Sequence, residues 1–140
     1  MDTIFIKTHH PGAHYAKPHF FVLSKGLNSG KPNNEAFTNS FVLVFQTETQ
    51  KEEIFWISMS LWKSKFWNPY LKGSVIPFIT LYDFKKEFNP RATRMMREHE
   101  QHLKNIKALK LLQEQENHFN KNLHLINELK NAIMMRYRNK

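Results

Sequence analysis

The apolar positions in the first 88 residues form short blocks that are separated by turn-forming segments. Short apolar, β-prone runs between such segments are typical of buried strands. We expect strands at residues 4–6, 19–23, 41–45 and 75–79. Because Pro77 lacks the N–H group that a strand ladder needs, the last of these strands belongs at a sheet edge or carries a bulge.

The segment between the third and fourth predicted strands has the apolar spacing of a helix. From Phe55 to Phe66, apolar side chains recur every three or four residues, and apolar neighbours widen the stripe. A stripe of that width predicts burial on more than one side. Thr49 and Glu52 together form a capping box, so we expect the helix to begin at Thr49 and to end near Phe66. A short helical turn is expected at residues 81–88.

The region after residue 88 predicts one long helix. Residues 91–138 contain neither Gly nor Pro. Asn89 as the N-cap and Pro90 in the first helical position suit the start of that helix. Apolar residues at spacings of three and four predict a seam along one face, interrupted by Glu116 and Lys130. The predicted seam residues are Leu109, Leu112, Phe119, Leu123, Ile126 and Ile133.

This predicted helix needs a surface to cover its seam. An unbroken helix of this length would reach about 70 Å, which exceeds what a domain of 88 residues can cover. Two arrangements stay open. The helix either associates with a second copy or a partner helix in the manner of a coiled coil, or it folds back into a hairpin. The bend would fall at the weaker helix formers Asn117, Asn120 and Asn122.

These elements predict an α+β protein. Residues 1–88 form a compact, aromatic-rich domain with a small mixed β-sheet and one packed helix, and residues 89–140 form a long basic helical arm. Seventeen of the nineteen Phe, Trp and Tyr residues lie in the first region. The core is therefore expected in the first region and the charged surface in the second.

Charge narrows the class of partner. The formal net charge is +9, and residues 89–140 hold eleven Lys and Arg against five Asp and Glu. A basic balance favours nucleic acid, either RNA or DNA, ahead of an acidic protein or a membrane surface. The chain has no cysteine, no apolar run long enough to span a bilayer and no signal peptide. We expect a protein of the host cytoplasm with no membrane partner.

One glycine-rich loop suggests phosphate chemistry at first sight. The segment Gly26 to Lys31 resembles a phosphate-binding loop, but it is one residue short between the glycines. Pro32 also replaces the hydroxyl residue that would hold magnesium, so nucleotide hydrolysis is rejected. Two interpretations stay open. The loop either joins two strands at the surface, or it presents backbone N–H groups with Lys25 and Lys31 to a phosphate.

The histidines do not form a recognisable metal motif. Four of them lie between His9 and His19, in a loop with no acidic neighbour to complete a site. His99 and His102 are three residues apart, which differs from the zinc-binding spacing of four, so a solvated helix face is expected there. We expect no cofactor, no metal and no catalytic residue, and hence a protein that is not an enzyme.

Basic residues along the long helix form a second candidate surface. Arg side chains at three-residue steps suit phosphate oxygens, although a solvated face opposite the seam is the alternative interpretation. Aromatic residues near lysines between Trp62 and Lys72 would make a stacking platform, although core packing explains most of them. The predicted nucleic-acid contacts are Lys25, Lys31, Arg91, Arg94, Arg97, Lys104, Lys107 and Lys110.

Two resemblances add to this picture. The succession Phe55-Trp56, Gly73-Ser74-Val75-Ile76-Pro77 and Asp83-Phe84-Lys85 resembles the end of a target-recognition domain of type I restriction specificity subunits. That family implies a DNA-reading domain on a helical spacer. Residues 21–32, taken with the block from Trp56 to Ile79, are similar to small uncharacterised proteins carried on mobile elements of Bacteroidota. This second resemblance implies a phage or mobile-element origin.

Three function hypotheses follow. The first is a non-enzymatic inhibitor of a host defence nuclease complex, similar to an anti-CRISPR protein, that engages guide RNA or a CRISPR or restriction effector protein through its basic surface. The link from origin to inhibition is an analogy with other small basic proteins of mobile elements. The alternative is a stand-alone DNA-binding module that forms a homodimer through its helix. A structural component of a virion or transfer apparatus is the third.

Overall fold

A four-stranded sheet forms the centre of the N-terminal half. The computed structural model describes residues 4–139. The strands are β1 (Phe5–Thr8), β2 (His19–Leu23), β3 (Pro32–Asn33) and β4 (Ser40–Val44). They follow the spatial order β1-β4-β2-β3, and all three pairings are antiparallel. No helix lies between these strands in the chain to supply the crossover that a parallel pair needs, so the sheet is antiparallel rather than mixed.

Three of the four predicted strands are confirmed, with shifts of one or two residues at β1 and β4. The prediction of a strand at residues 75–79 is wrong. Phe78 alone forms isolated bridges there, to Lys25 and Lys72. Residues between Gly73 and Pro77 loop outwards, and Val75 is 89% exposed. Pro77 cannot donate to a ladder, and the positive φ of Gly73 turns the chain away from extended structure.

Helix α1 (Glu48–Lys63) packs on the sheet and begins before the predicted cap. Thr47 is the N-cap, because its backbone is extended and its Oγ1 accepts a hydrogen bond from Gln50 N at 3.1 Å. The predicted capping box at Thr49 and Glu52 is therefore wrong. A hydroxyl caps a helix only from the last extended residue before it. A short 3₁₀ turn, Asn68–Tyr70, follows the helix.

Helix α2 (Leu81–Arg97) runs through the predicted helix start. Asn89 is not an N-cap, and Pro90 lies inside the helix. Thr80 caps α2 instead, accepting from Asp83 N at 3.1 Å. An interior proline costs about 3 kcal/mol. Burial of Phe84 and Phe88 stabilises the fold by roughly 1.5–3 kcal/mol for each side chain. This stabilisation offsets the cost of the proline, so the helix continues through Pro90.

Helix α3 (His99–Arg138) is continuous over 40 residues. It passes through Asn117, Asn120 and Asn122 without interruption, so the predicted alternative of an internal hairpin is wrong. At about 1.5 Å per residue its length is roughly 60 Å. The chain divides into an N-terminal unit that ends at His102 and a C-terminal unit that begins at Leu103. Sequence analysis places the division after residue 88.

The core of the N-terminal unit lies between one face of the sheet and helices α1 and α2. Aromatic rings dominate it: Phe84 stacks on Trp67 at 4.9 Å and on Phe88 at 5.1 Å between ring centroids. The opposite face of the sheet is covered at Phe21 by the rings of His9 and Tyr15. The predicted α+β class with a long C-terminal helix is confirmed. Across residues 4–139, no helix is both long enough and apolar enough to span a membrane.

Candidate nucleic-acid interface

A cleft forms where the glycine-rich loop meets the C-terminal end of α1. Its volume is about 230 Å³. Two indole rings and two lysines contribute to its wall, together with polar loop residues. We refer to it as the Trp62 cleft. Its lining residues are Leu27, Asn28, Ser29, Trp62, Lys63, Lys65, Trp67 and Asn68.

The glycine-rich loop is held in shape by its own backbone. Ser29 N donates to Gly26 O at 3.2 Å, Gly30 N to Leu23 O at 2.7 Å, and Lys31 N to Asn28 O at 3.0 Å. These N–H groups are committed to carbonyls of the protein, so they do not form the phosphate-binding cradle that the loop suggests from its sequence. The cationic side chains of the loop can still contact an anionic ligand.

Gly30 fixes the loop against Trp67. A Cβ atom built on Gly30 would lie 2.2 Å from Trp67 Cδ1, and the φ angle of Gly30 is +98°. Both facts require glycine at this position. Trp67 is 1% exposed, and among the described residues its Nε1 has no hydrogen-bond partner. The loop and the floor of the Trp62 cleft are therefore one packed structure.

Two lysine ammonium groups lie close to the indole ring of Trp62. Lys31 Nζ, from the loop, lies 5.3 Å from the centroid of the indole, and Lys63 Nζ, from α1, lies 5.2 Å from it. Each contact is worth about 0.5–1 kcal/mol at an exposed site. Both side chains are cationic, so the surroundings of this indole favour an anionic ligand.

Lys65 has a backbone conformation that favours glycine. Its φ is +60°. Lys65 N donates to Trp62 O at 3.0 Å and Phe66 N donates to Leu61 O at 3.0 Å. These two bonds form a Schellman motif with Lys65 in the left-handed position where glycine is usual. A side chain there costs about 1 kcal/mol or more, so the chain keeps a strained lysine at the rim of the cleft.

The residues that were predicted to contact nucleic acid lie in different surroundings in the structure. Lys31 lies over the ring of Trp62, while Lys25 is exposed next to its bridge with Phe78. Arg91 is engaged within the fold: its Nη1 donates to Glu87 O at 2.9 Å and to Glu87 Oε2 at 3.0 Å, and its guanidinium lies 4.2 Å from the ring centroid of Phe66. The remaining predicted contacts are exposed side chains, Arg94 and Arg97 on α2 and Lys104, Lys107 and Lys110 on α3.

The aromatic platform is smaller than the sequence suggests. Trp67, Phe66 and Tyr70 belong to the core or pack against it, in agreement with the core-packing interpretation. Trp62 is half-buried and lines the cleft. Only the three-dimensional position of the loop distinguishes Trp62 from its neighbours, because Lys31 reaches it from 31 positions away in the chain.

Two histidines at the start of α3 contact Glu53 of α1. His102 is 4% exposed, and its Nε2 donates to Glu53 O at 2.7 Å. His99 Nε2 donates to Glu53 Oε1 at 2.9 Å, and Glu53 is itself buried. The predicted solvated face is therefore wrong for His102, whereas the His99 side chain is 45% exposed. A buried carboxylate needs a partner, and α3 supplies it. Within residues 4–139, no group of three His, Asp or Glu side chains could hold a metal ion.

His9 is also buried and belongs to an aromatic cluster. Its Nδ1 lies 2.9 Å from the hydroxyl of Tyr15, and its ring packs on Phe21 at 4.9 Å between centroids. Burial lowers the pKa of His9 below its ordinary value, and the nearby charges of His10, His19 and Lys7 lower this pKa further. The fold therefore disfavours the charged form of His9.

The fold and the cleft define a small α+β protein with a basic aromatic cleft in its N-terminal unit. The chain belongs to a family described as a family of unknown function (DUF6943), whose model matches residues 6–136. No curated protein and no solved structure matches the chain.

Proposed function

We propose that this protein binds single-stranded nucleic acid in the Trp62 cleft. A base stacks on Trp62, and the neighbouring phosphates lie against Lys31, Lys63 and Lys65. The observation that carries the proposal is that one indole is shared by ammonium groups from two separate elements. Aromatic platforms beside lysines are the usual composition of sites for single strands.

The size of the cleft fits one base of a longer strand. Its volume of about 230 Å³ is below the range of about 300–1,000 Å³ typical of sites that enclose a small molecule. Stacking of one base contributes about 1–3 kcal/mol. The net charge of +9 adds a longer-range attraction for the strand. Arg94 and Arg97 are further exposed cations of the N-terminal unit.

The biological role that we infer is inhibition of a host defence nuclease by occupation of its guide RNA. The basic charge, a cleft suited to an unpaired base and the resemblance to mobile-element proteins support this role. The protein would act by binding, with no chemistry of its own. Addition of the protein to a guided cleavage reaction should lower the rate, and the Trp62→Ala variant should restore it. An unchanged rate with every nuclease tested would reject the role while leaving nucleic-acid binding intact.

Binding itself is tested with a labelled single-stranded oligonucleotide in an anisotropy titration. We expect Trp62→Ala to weaken binding about tenfold or more, because base stacking is removed. Replacing Lys31 and Lys63 with Gln should reduce the dependence of log K on log salt by about 0.7 for each phosphate that is no longer neutralised. The matched controls are Trp56→Ala, an indole of α1 outside the cleft, and Lys85→Gln, an exposed lysine of α2.

Two results would contradict the proposal. Equal effects of Trp62→Ala and Trp56→Ala on binding would show that the cleft is not the site. Preference for duplex DNA, unaffected by Trp62→Ala, would favour the DNA-binding module related to restriction specificity subunits.

A further inference from the structure

The C-terminal unit exposes a regular apolar seam. Every residue from Lys107 to Asn139 is exposed. The seam extends four residues beyond Ile133 to Tyr137, and its residues are between 36% and 80% exposed. Helices of this length draw most of their stability in water from packing of an apolar face. The seam is therefore an interaction surface, and its chemistry identifies the partner.

The seam follows a heptad repeat in which two charged residues occupy core positions. If Leu109 is position a, then Leu112 is position d, and this numbering places Glu116 and Lys130 at position a as well. The d positions 112, 119, 126 and 133 are apolar throughout. Two opposite charges, two heptads apart in one seam, restrict how a second copy can pair.

A parallel pair of seams is disfavoured by these charges. In a parallel coiled coil, position a faces position a of the partner. Glu116 would then face the Glu116 of the second copy, and Lys130 would face its Lys130. Each contact places like charges together in the desolvated centre of the interface, which is destabilising.

An antiparallel pair of seams keeps these like charges apart. When Leu123 faces Ile126 of the second copy, Glu116 faces Ile133 and Lys130 faces Phe119, so each charge meets an apolar residue. Glu116 then lies about 4.5 Å along the axis from Lys130 of the second copy, since three residues separate them at 1.5 Å each. The same register centres the segment from Leu112 to Tyr137 on the twofold axis.

We propose that two copies of this chain associate through an antiparallel coiled coil formed by residues 112–137. The charge of this segment agrees with self-association, because three Lys and Arg residues are balanced by three Glu residues. The association is independent of nucleic-acid binding at the Trp62 cleft. Glu116 and Lys130 set its direction.

The first test is the mass of the full chain in solution, measured by sedimentation equilibrium across a dilution series. We expect twice the chain mass of 16.8 kDa. Leu123→Gln should raise the dimer dissociation constant at least about tenfold. The matched control is Leu111→Gln. Leu111 is 56% exposed and Leu123 57%, but only Leu123 lies in the seam. A monomer at every concentration, a trimer or tetramer, or equal effects of the two variants would overturn the proposal.

The second test determines direction. Glu116→Lys and Lys130→Glu should each weaken the dimer, and the double variant should restore it. A parallel dimer would respond weakly to each single change, because like charges would remain paired. The chain has no cysteine, so a spin label at Lys110→Cys is unique. An antiparallel dimer places the two labels about 44 Å apart along the axis, for 29 residues at 1.5 Å each. A separation no larger than the width of a two-helix coil would overturn the antiparallel assignment. Unchanged Trp fluorescence in every variant shows that the N-terminal unit stays folded.

Discussion

The two units of this protein use apolar periodicity in opposite ways. In the N-terminal unit, the apolar stripes of α1 and α2 face a sheet in the same unit, and Phe84 and Phe88 are fully buried. In the C-terminal unit, an equally regular seam stays exposed. The comparison shows that a pattern predicts a helix and its apolar face. Whether that face becomes core or interface depends on whether the chain itself supplies the complementary surface.

The largest expected effect comes from breaking the packing of the N-terminal unit alone. Gly30→Ala introduces a Cβ that meets Trp67 at 2.2 Å, on a backbone with φ +98°. Overpacking and backbone strain each cost about 1–3 kcal/mol, so we expect the free energy of unfolding to fall by roughly 2–6 kcal/mol. All three Trp residues lie in this unit, so Trp fluorescence in a urea titration measures the change.

Gly12→Ala is the matched control for this prediction. Gly12 also has a positive φ, of +86°, but no described atom lies within 4 Å of its Cβ position. Only the backbone strain of about 1–3 kcal/mol applies there. Equal destabilisation by the two substitutions would show that the contact between Gly30 and Trp67 does not hold the loop in place.

The second prediction separates the two units by concentration. Dissociation of the antiparallel coiled coil is concentration-dependent, whereas unfolding of the N-terminal unit is not. We expect the thermal loss of helical circular dichroism to show a component that rises in temperature with protein concentration. The Trp fluorescence transition should stay fixed. If neither signal shifted with concentration, the exposed seam would have no partner in a second copy.

The third prediction concerns the loss of folding stability at acidic pH. Burial lowers the pKa of His9 in the folded chain, so the unfolded chain binds the proton more readily. The resulting stability is complete above the ordinary value of about 6.5 and is lost as pH falls through the lowered pKa. The free energy of unfolding should therefore decline below about pH 6.5. Replacing His9 with Gln should flatten that decline, whereas His14→Gln, at an exposed histidine, should leave it unchanged. An identical decline in the His9 variant would exclude His9 as its source.

The smallest expected effect concerns Lys65, where a single substitution should change stability and binding in opposite directions. Lys65→Gly removes a strained left-handed side chain, so we expect the N-terminal unit to become about 1 kcal/mol more stable. The same substitution should weaken oligonucleotide binding a few-fold, because it removes one cation. Lys63→Gln should weaken binding without stabilising the fold. A less stable Lys65→Gly variant, or one with unchanged binding, would show that the strain has no connection with the ligand.

Local patterns in the sequence predicted the local structure well. The apolar run His19–Leu23 is observed as a strand with those bounds. A long C-terminal helix is confirmed, but it spans His99–Arg138 and does not begin at residue 91, because α2 ends at Arg97 and Glu98 separates the two helices. Where long-range packing decides, local rules failed. Pro90 is tolerated because Phe84 and Phe88 are buried along the same helix, and His102 is buried because α1 presents a carbonyl oxygen to α3.

The candidate site was only partly predictable. Lys31 and the aromatic residues near Trp62 stood out in the sequence, but nothing in their spacing showed that the loop reaches the end of α1. The role of Lys65 depends on a φ angle that no pattern reveals. Arg91 is an example of a sequence pattern that suggested a binding residue where the structure shows an internal contact. It belongs to the regular arginine spacing, but its guanidinium pairs with Glu87 and packs on the ring of Phe66.

The most direct test of the central claim is photocrosslinking of a single-stranded oligonucleotide that carries 5-iodouracil, followed by mass spectrometry of the peptide that retains the base. A base stacked in the cleft should crosslink to Trp62, and competition with unlabelled strand should abolish the product. Crosslinks confined to Trp56, or to the helix residues between Arg94 and Lys110, would contradict the assignment of the Trp62 cleft as the nucleic-acid site.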